Sequence, residues 1–457
     1  MNPETIYALA SAGGRAGIAV IRISGAGTAA ALKALGYPKA ELEPRRALRT
    51  RLVDPVSGDD LDDGLALWFP APNSFTGEDV GELHVHGGHA VTAGVLEALA
   101  AMVGLRMAEP GEFTRRAFEN GKLDLTAAEG LADLVDAETQ AQRKQALRQL
   151  RGELGGLYES WRQRLIAALA HLEANIDFSD EDLPQGIGAA ARKELAQLKQ
   201  DIAAHLADGH RGERLRAGLL IAIIGPPNAG KSSLLNVLAR RDAAIVSATA
   251  GTTRDVIEVH LDLGGYPVIV ADTAGLREAG EDSGDAIEAE GIRRARAKAE
   301  DADLRLAVFD GETWPEADAA TARLVDDATL VVVNKADLKT PVPPLKVEGQ
   351  DGSQAGLAIS ALTGDGIDDL MAAMGERVEA LMGVPPSPAL TRARHREALE
   401  VCRQSLGRFL AMETDAAMPE LAAEDLRLAA RALGRITGRV DVDDVLDVIF
   451  RDFCIGK

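Results

Sequence analysis

Several things are scarce in this 457-residue chain, and each shortage excludes a class of protein. The two cysteines, Cys402 and Cys454, are too few for a disulfide framework or a cysteine-held zinc, which fits a reducing cytoplasm. No apolar run approaches the roughly 20 residues of a membrane span. Met1 to Leu9 has neither the basic start nor the apolar stretch of a signal peptide. Basic charge is also short: 50 Lys and Arg against 71 Asp and Glu give a formal charge of −21. That balance argues against a broad nucleic-acid-binding face, so an RNA substrate needs a local patch or a basic partner. His84 and His86 share one face of an expected strand and His89 follows, but no cysteine or further histidine completes a metal set.

What is present centres on Gly225-Pro226-Pro227-Asn228-Ala229-Gly230-Lys231-Ser232. The apolar run Leu219 to Ile224 precedes it and a helical stretch from Ser233 follows, the strand–loop–helix context of a phosphate-binding loop. Its backbone N–H groups and the helix N-terminus attract phosphate; Lys231 can reach the β- and γ-phosphates, and Ser232 offers a hydroxyl to magnesium. Three further stations each follow an apolar run: Asp272-Thr273-Ala274-Gly275, Asn334-Lys335-Ala336-Asp337 and Ser360-Ala361-Leu362. All therefore lie where parallel strands finish, the place where open α/β sheets bind ligands. The Asp337 carboxylate can accept two N–H groups from guanine, which adenine does not offer. In identity and order the stations resemble the Ras-like GTPases.

The length suggests about three domains. The segment to about Asn120 reads as α+β, with strands expected at Ile18–Ile23, Gly64–Phe69 and Gly81–Val85. Arg22 is the one charge in the first, and such an arginine commonly snorkels to a surface carboxylate. From Leu123 the pattern turns helical: Leu147, Leu150, Leu154, Leu157, Trp161, Leu165, Leu169, Leu172 and Ile176 form one apolar stripe. Gly155-Gly156 marks a candidate kink, since each glycine costs ~1 kcal/mol relative to alanine in a helix. A second helix is expected from about Ala189 to Ala207. Gly264-Gly265 sits between two strand-like runs, a hairpin signal that supplies the antiparallel strand of a Ras-like sheet. Pro385-Pro386-Ser387-Pro388 closes that domain as a stiff linker, and the rest of the chain is helical.

The chain closes on Phe453-Cys454-Ile455-Gly456-Lys457. This tail resembles the closing Cys-x-Gly-Lys of the MnmE (TrmE) family of tRNA-modification GTPases. So do Arg22-Ile23-Ser24-Gly25, Asn73-Ser74-Phe75-Thr76-Gly77-Glu78-Asp79, His86-Gly87-Gly88, Pro110-Gly111-Glu112-Phe113-Thr114, the P-loop through Ser233, and Ala250-Gly251-Thr252-Thr253-Arg254-Asp255. The resemblance implies a multidomain α/β and α fold. An N-terminal α+β folate-binding-like dimerisation domain spans residues 1–120. A discontinuous helical domain occupies 121–217 and 383–457, and a Ras-like P-loop GTPase domain is inserted over 218–382.

The resemblance further implies a homodimer in the cytoplasm that joins an FAD-dependent partner, MnmG, in a heterotetramer and modifies the wobble uridine of tRNA. A formyl- or methylene-tetrahydrofolate would be its one-carbon source. Family folate positions fall on Arg22, Glu82, Lys122 and Lys457, where cations can pair a glutamyl tail and Glu82 can accept from pterin N–H groups. A covalent role for Cys454 stays open.

Hydrolysis needs a water-placing group. Leu276 stands where Ras-like enzymes that use a glutamine carry it, so another group must serve, and Glu281, Asp282, Asp285 and Glu288 are the nearby carboxylates. The family alignment picks Glu288, with Glu290 as rival because residues 277–291 form a longer segment than usual. The family uses potassium in place of an arginine finger, implying Asn228, Ser247, Thr249 and Thr252 as its ligands; Asn228 read alone equally suits a turn. Thr253 joins Ser232 on magnesium. The loop Ser247-Ala248-Thr249-Ala250-Gly251-Thr252 would border the nucleotide. The runner-up is a regulatory or ribosome-assembly GTPase without covalent tRNA chemistry. A folate-dependent aminomethyl transferase is a third reading, and it leaves the intact GTPase stations unexplained.

Overall fold

The computed structural model describes the chain except residues 1–3, 40, 178–186, 242, 246–257, 273–300, 317, 339–344, 347–352, 355, 384–387, 413–418, 441–442, 452 and 457. It divides into two compact units, one of residues 1–132, 148–199 and 398–457, the other of 133–147 and 200–397.

The first unit holds a six-stranded sheet of β1 (Thr5–Leu9), β2 (Ala16–Ser24), β3 (Leu48–Val53), β4 (Asp60–Phe69), β5 (Val80–Gly87) and β6 (Leu105–Met107). Its order is β3-β4-β5-β2-β1-β6, antiparallel except for the β1–β6 pair. Inward residues alternate along the central strands: Ile21 and Ile23 on β2 meet Leu83 and Val85 on β5, with Val95 and Leu99 of helix His89–Ala100 in the same cluster. β4 starts four residues earlier than the apolar pattern predicts. Its acidic head Asp60-Leu61-Asp62-Asp63 pairs with β3 across a register shift between Leu52 and Val53, where Arg51 binds Asp60 and Arg49 lies 3.6 Å from Asp63. These cross-strand charge pairs are exposed and add only modestly to the pairing there.

The helical part of this unit pairs Glu153–Asp177 with Pro419–Thr437; Leu154, Trp161 and Leu165 of the expected stripe are buried, and Tyr158 is buried where the stripe named Leu157, which is half-buried. The interruption lies at Gly152 (φ 82°) and not at Gly155-Gly156, which remain helical. Gly155 is required for space: a Cβ there would stand 2.2 Å from Asp124 Oδ2. The C-terminal tail belongs to this unit too. Ile455 bridges to Pro110, and Gly111 N–H donates to Cys454 O at 3.4 Å. Phe450 and Phe453 pack with Leu125, Ala128 and Leu446.

In the second unit β7 (Leu219–Ile224), β8 (Glu258–Leu263), β9 (Tyr266–Asp272), β10 (Leu304–Asp310) and β11 (Thr329–Asn334) lead to a short hairpin of β12 (Leu345–Lys346) and β13 (Ser353–Gln354), then to β14 (Leu357–Ala358). Among the described residues the main sheet runs β14-β11-β10-β7-β9-β8, parallel throughout except for the β8–β9 hairpin at Gly264-Gly265. Both faces are covered. Ile221 and Ile223 point to helices Lys231–Leu238 and Ile367–Met382, while Ala222 and Ile224 join Phe309, Trp314 and Val333. Burial on both sides is why these strands read as continuous apolar runs. Among the described residues no helix is long and apolar enough to cross a membrane.

Candidate functional site

Parallel pairing of β7, β9, β10, β11 and β14 puts five strand ends on one edge of the second unit's sheet. The loop after β7 makes the first wall. Gly230 there has φ 89°, and a Cβ on it would stand 2.1 Å from Asn334 Nδ2. A side chain would thus force the phosphate loop away from the third station. Helix Lys231–Leu238 starts immediately after, directing its free N–H groups at the loop.

Lys231 is buried, and its Nζ donates to the carbonyls of Gly225 (3.0 Å) and Pro226 (2.8 Å). These bonds curl the loop and hold an ammonium where phosphate oxygens would sit. Ser232 Oγ donates to Asp272 Oδ2 at 2.7 Å, joining the ends of β7 and β9. A hydroxyl and a carboxylate together are a hard oxygen donor set that fits magnesium. Asn228, exposed and at φ 63°, makes no side-chain hydrogen bond among the described residues, so its amide oxygen is open to a cation. Ala229 is fully buried against the second unit's core, whereas Ser233 is exposed.

Asn334 laces the site together. Buried at 3% exposure, it donates from Nδ2 to Ala229 O at 2.9 Å and accepts the Ala361 N–H on Oδ1 at 3.0 Å. One side chain thereby couples the phosphate loop to the Ser360-Ala361-Leu362 loop. Ala336 N–H donates to Ile359 O, fixing the intervening turn, and Ser360 Oγ caps the next one by accepting Thr363 N–H. Asp337 and Leu362 stand exposed at the rim. Asp310, which the sequence reading does not single out, binds Lys335 Nζ with Oδ2 at 2.6 Å. Its one visible signal is its place at the end of an apolar run parallel to the other stations. Thr273, Ala274, Gly275, Leu276, Glu288, Glu290 and Ser247 to Thr253 lie outside the described residues.

A second polar cluster occupies the first unit. Arg22 does reach a carboxylate, a half-buried one: its Nε and Nη2 donate to Glu82 Oε1 at 3.1 and 2.9 Å across the β2–β5 pair, with its guanidinium 5.3 Å from the Phe75 ring and 5.8 Å from Phe113. Lys122 is exposed and approaches the same 75–78 loop, its Cε being 3.3 Å from where a Gly77 Cβ would stand. Beside them Ser24 Oγ lies 2.7 Å from Thr76 Oγ1 and donates to Glu78 Oε2 at 2.8 Å. Buried Arg116 donates to Glu78, Glu112 and the Glu4 carbonyl. Burial works against the Glu112 charge. Bonds from Arg106, Arg116 and the Glu109 N–H outweigh it and hold that carboxyl below the usual range. Glu78 and Arg116 are absent from the sequence-based site; 38 residues apart, they share no spacing that betrays their contact. Cys454 is exposed beside Pro110 and Gly111, while burial pushes the Cys402 thiol up to about 12. Lys457 lies outside the described residues. The described residues contain no group of three or more His, Cys, Asp or Glu able to hold a metal.

Comparison with known proteins follows the same division. A family model described as GTP-binding protein TrmE N-terminus matches residues 5–122, and one described as MnmE helical domain matches 125–454. The tRNA modification GTPase MnmE of Paramagnetospirillum magneticum is 60% identical over 456 residues, covering 99% of this chain and 100% of its own length. The namesake from Rhodospirillum rubrum is 58% identical over 467 residues with full coverage of both. A human mitochondrial protein, the 5-taurinomethyluridine (tRNA) synthase subunit GTPB3, is 49% identical over 469 residues, covering 99% of this chain and 93% of its own.

Proposed function

Because the chain belongs to the MnmE family of tRNA-modification GTPases, we propose that it runs a potassium-activated GTP hydrolysis cycle coupled, through an FAD-dependent partner subunit MnmG, to modification of the wobble uridine of tRNA with a folate one-carbon unit. Its fold is a TrmE N-terminal domain, a helical domain and a Ras-like P-loop GTPase core, for which we keep the boundaries 1–120, 121–217 with 383–457, and 218–382. The observation that carries the GTPase reading is the convergence of Lys231, Ser232, Asp272, Asn334 and Ala361 on one sheet edge.

In this reading Lys231 and the loop N–H groups bind the phosphates, and Asp337 selects guanine. Ser232 and Thr253, with Asp272 behind them, would hold magnesium; Asn228, Ser247, Thr249 and Thr252 would hold potassium. These cations, when bound, neutralise charge that develops on the transferring phosphoryl group. Glu288 orients the attacking water, since Leu276 has no polar atom to do so. The folate reading draws on Arg22, whose guanidinium lies near the Phe75 and Phe113 rings, with Glu82, Lys122 and Lys457 as further contacts. Homodimerisation through the N-terminal domain is part of the same proposal. The human relative is by name one subunit of a synthase, which supports a partner-dependent reaction here.

Nucleoside mass spectrometry of tRNA from a strain lacking the gene tests this function. The expected result is loss of the modified wobble uridine with ribosome assembly intact. Unchanged modification, or ribosomal precursors accumulating as the primary defect, favours the assembly-GTPase alternative.

A further inference from the structure

Asp310 belongs to none of the four stations, yet it touches one of them. It ends β10, in register with Asn334 at the end of β11. Oδ1 accepts the Glu312 N–H at 3.0 Å, a local turn that fixes the carboxylate, while Oδ2 takes Lys335 Nζ. The backbones are tied as well, since Gly311 N–H donates to Asn334 O at 2.7 Å. Burial disfavours the Asp310 charge, but the bonds from Lys335 and the Glu312 N–H prevail and hold its carboxyl below the ordinary value. The same ion pair raises the Lys335 ammonium.

Two other carboxylates lie in the field of that ammonium, Glu312 and Asp337. Asp337 is only two residues along, is exposed, and accepts no hydrogen bond among the described residues. Lys335 has a left-handed backbone (φ 62°) inside a hydrogen-bonded turn, so its side chain is the part free to turn. An ammonium on a flexible four-carbon stem moves to whichever acceptor remains. Without Asp310 the ammonium is shared between Glu312 and Asp337, and whatever share falls to Asp337 takes up an oxygen that a purine base needs.

We propose that Asp310 is a specificity-determining positioning residue: by holding the Lys335 ammonium, it keeps the Asp337 carboxylate open to the two N–H groups of guanine. The inference rests on the guanine reading of the site given above. It makes base selectivity depend on a residue that does not face the base.

The test is equilibrium titration of the full-length protein with GDP and IDP, whose hypoxanthine offers Asp337 one N–H in place of two. The proteins are wild type, Asp310→Ala, Asp310→Ser and the double variant Asp310→Ser/Lys335→Met. Serine retains an acceptor for the Glu312 N–H, so the turn survives if alanine disrupts it. Loss of one charge-assisted bond at the base predicts GDP affinity about tenfold lower in Asp310→Ser and a preference for GDP over IDP that shrinks severalfold. In the double variant the competing ammonium is gone and the preference returns. A purely structural role for Asp310 leaves the preference unchanged in Asp310→Ser, and that result overturns the inference; so does a double variant as unselective as the single one. Asp337→Asn, titrated with XDP and GDP, separates the two layers. Xanthine carries a carbonyl where guanine carries the amino group, so a gain in XDP affinity supports Asp337 as the reader. No gain removes the guanine reading and this inference together, whereas a gain beside an unchanged Asp310→Ser preference removes the inference alone.

Discussion

The two units solve the problem of holding polar groups in opposite ways. In the first, charges are paired with one another: Arg22 with Glu82, Arg116 with Glu78 and Glu112, Arg106 with Glu112. Breaking one partner there leaves an uncompensated, partly buried charge, which is where such pairs become costly. In the second, the Asp310–Lys335 pair aside, the site is framed by backbone groups and small polar side chains, and the groups left open at the rim, Asn228 and Asp337, face the outside. A closed network suits a ligand that must displace internal partners. An open frame suits a nucleotide that binds and leaves in every cycle.

The largest expected effect tests whether the open frame alone runs hydrolysis. Steady-state GTP turnover in matched potassium and sodium buffers should be much faster in potassium, and Asn228→Ala should erase most of that difference. Glu288→Ala should retain nucleotide binding while losing roughly 10²- to 10⁴-fold in turnover, the range expected for removing a general base. Equal wild-type rates in the two salts remove the ion from the mechanism, and an active Glu288→Ala moves the water-placing role to Glu290. A smaller effect isolates the closed network. Deleting Cys454 to Lys457 should leave GTP turnover nearly unchanged and weaken formyl-tetrahydrofolate binding about 10- to 100-fold, the size of one or two lost charge-assisted bonds. Calorimetry on full-length and truncated protein measures it, and equal affinities take the tail out of the folate site.

The smallest effect sharpens the contrast through pH. Burial, opposed by Asp208 and aided by the charges of His395 and Arg396, lowers the pKa of His205, in the second unit, from 6.5 to about 4. The unfolded chain therefore takes up a proton that the folded one refuses, and stability present above pH 6.5 is lost as pH falls toward 4. The loss is about 3 kcal/mol at most. Glu112 in the first unit has a depressed pKa, so its contribution persists until the pH falls below the ordinary glutamate range. Thermal melts from pH 7 to 4 should show the second unit softening first, and His205→Gln should flatten its slope. A wild-type slope in that variant assigns the acid sensitivity elsewhere.

How far each unit could be read in advance follows from its connectivity. Every nucleotide station sits directly after an apolar run, because a buried parallel strand must be apolar on both faces and must end where the ligand sits. Lys231, Asp272, Asn334 and Ser360 were therefore visible as residues in place. Asp310 was hidden because a single aspartate after a strand carries no spacing. The first unit's cluster joins residues 22, 24, 78, 82 and 116 through antiparallel pairing and a loop, and no local pattern records such a meeting. The acidic head of β4 lies outside the expected strand for a related reason: Asp60 to Asp63 carry little apolar signal, and Arg51 and Arg49 face Asp60 and Asp63 only once β3 pairs with them. Gly155, read as a candidate kink, owes its place to something no sequence pattern records, the close approach of Asp124.

The bridge between Ile455 and Pro110 has a consequence for the order in which the protein is made. The second unit draws on residues 133–147 and 200–397, so all its parts exist once the ribosome passes Glu397. The first unit must wait for residues 398–457, and its contacts span more than 300 residues of chain, as Pro110 with Ile455 and Arg115 with Asp447 do. Contacts that distant form late and slowly. The GTPase unit thus emerges as the early-finished insert, and the N-terminal sheet, though synthesised first, is the last part to receive its full set of neighbours.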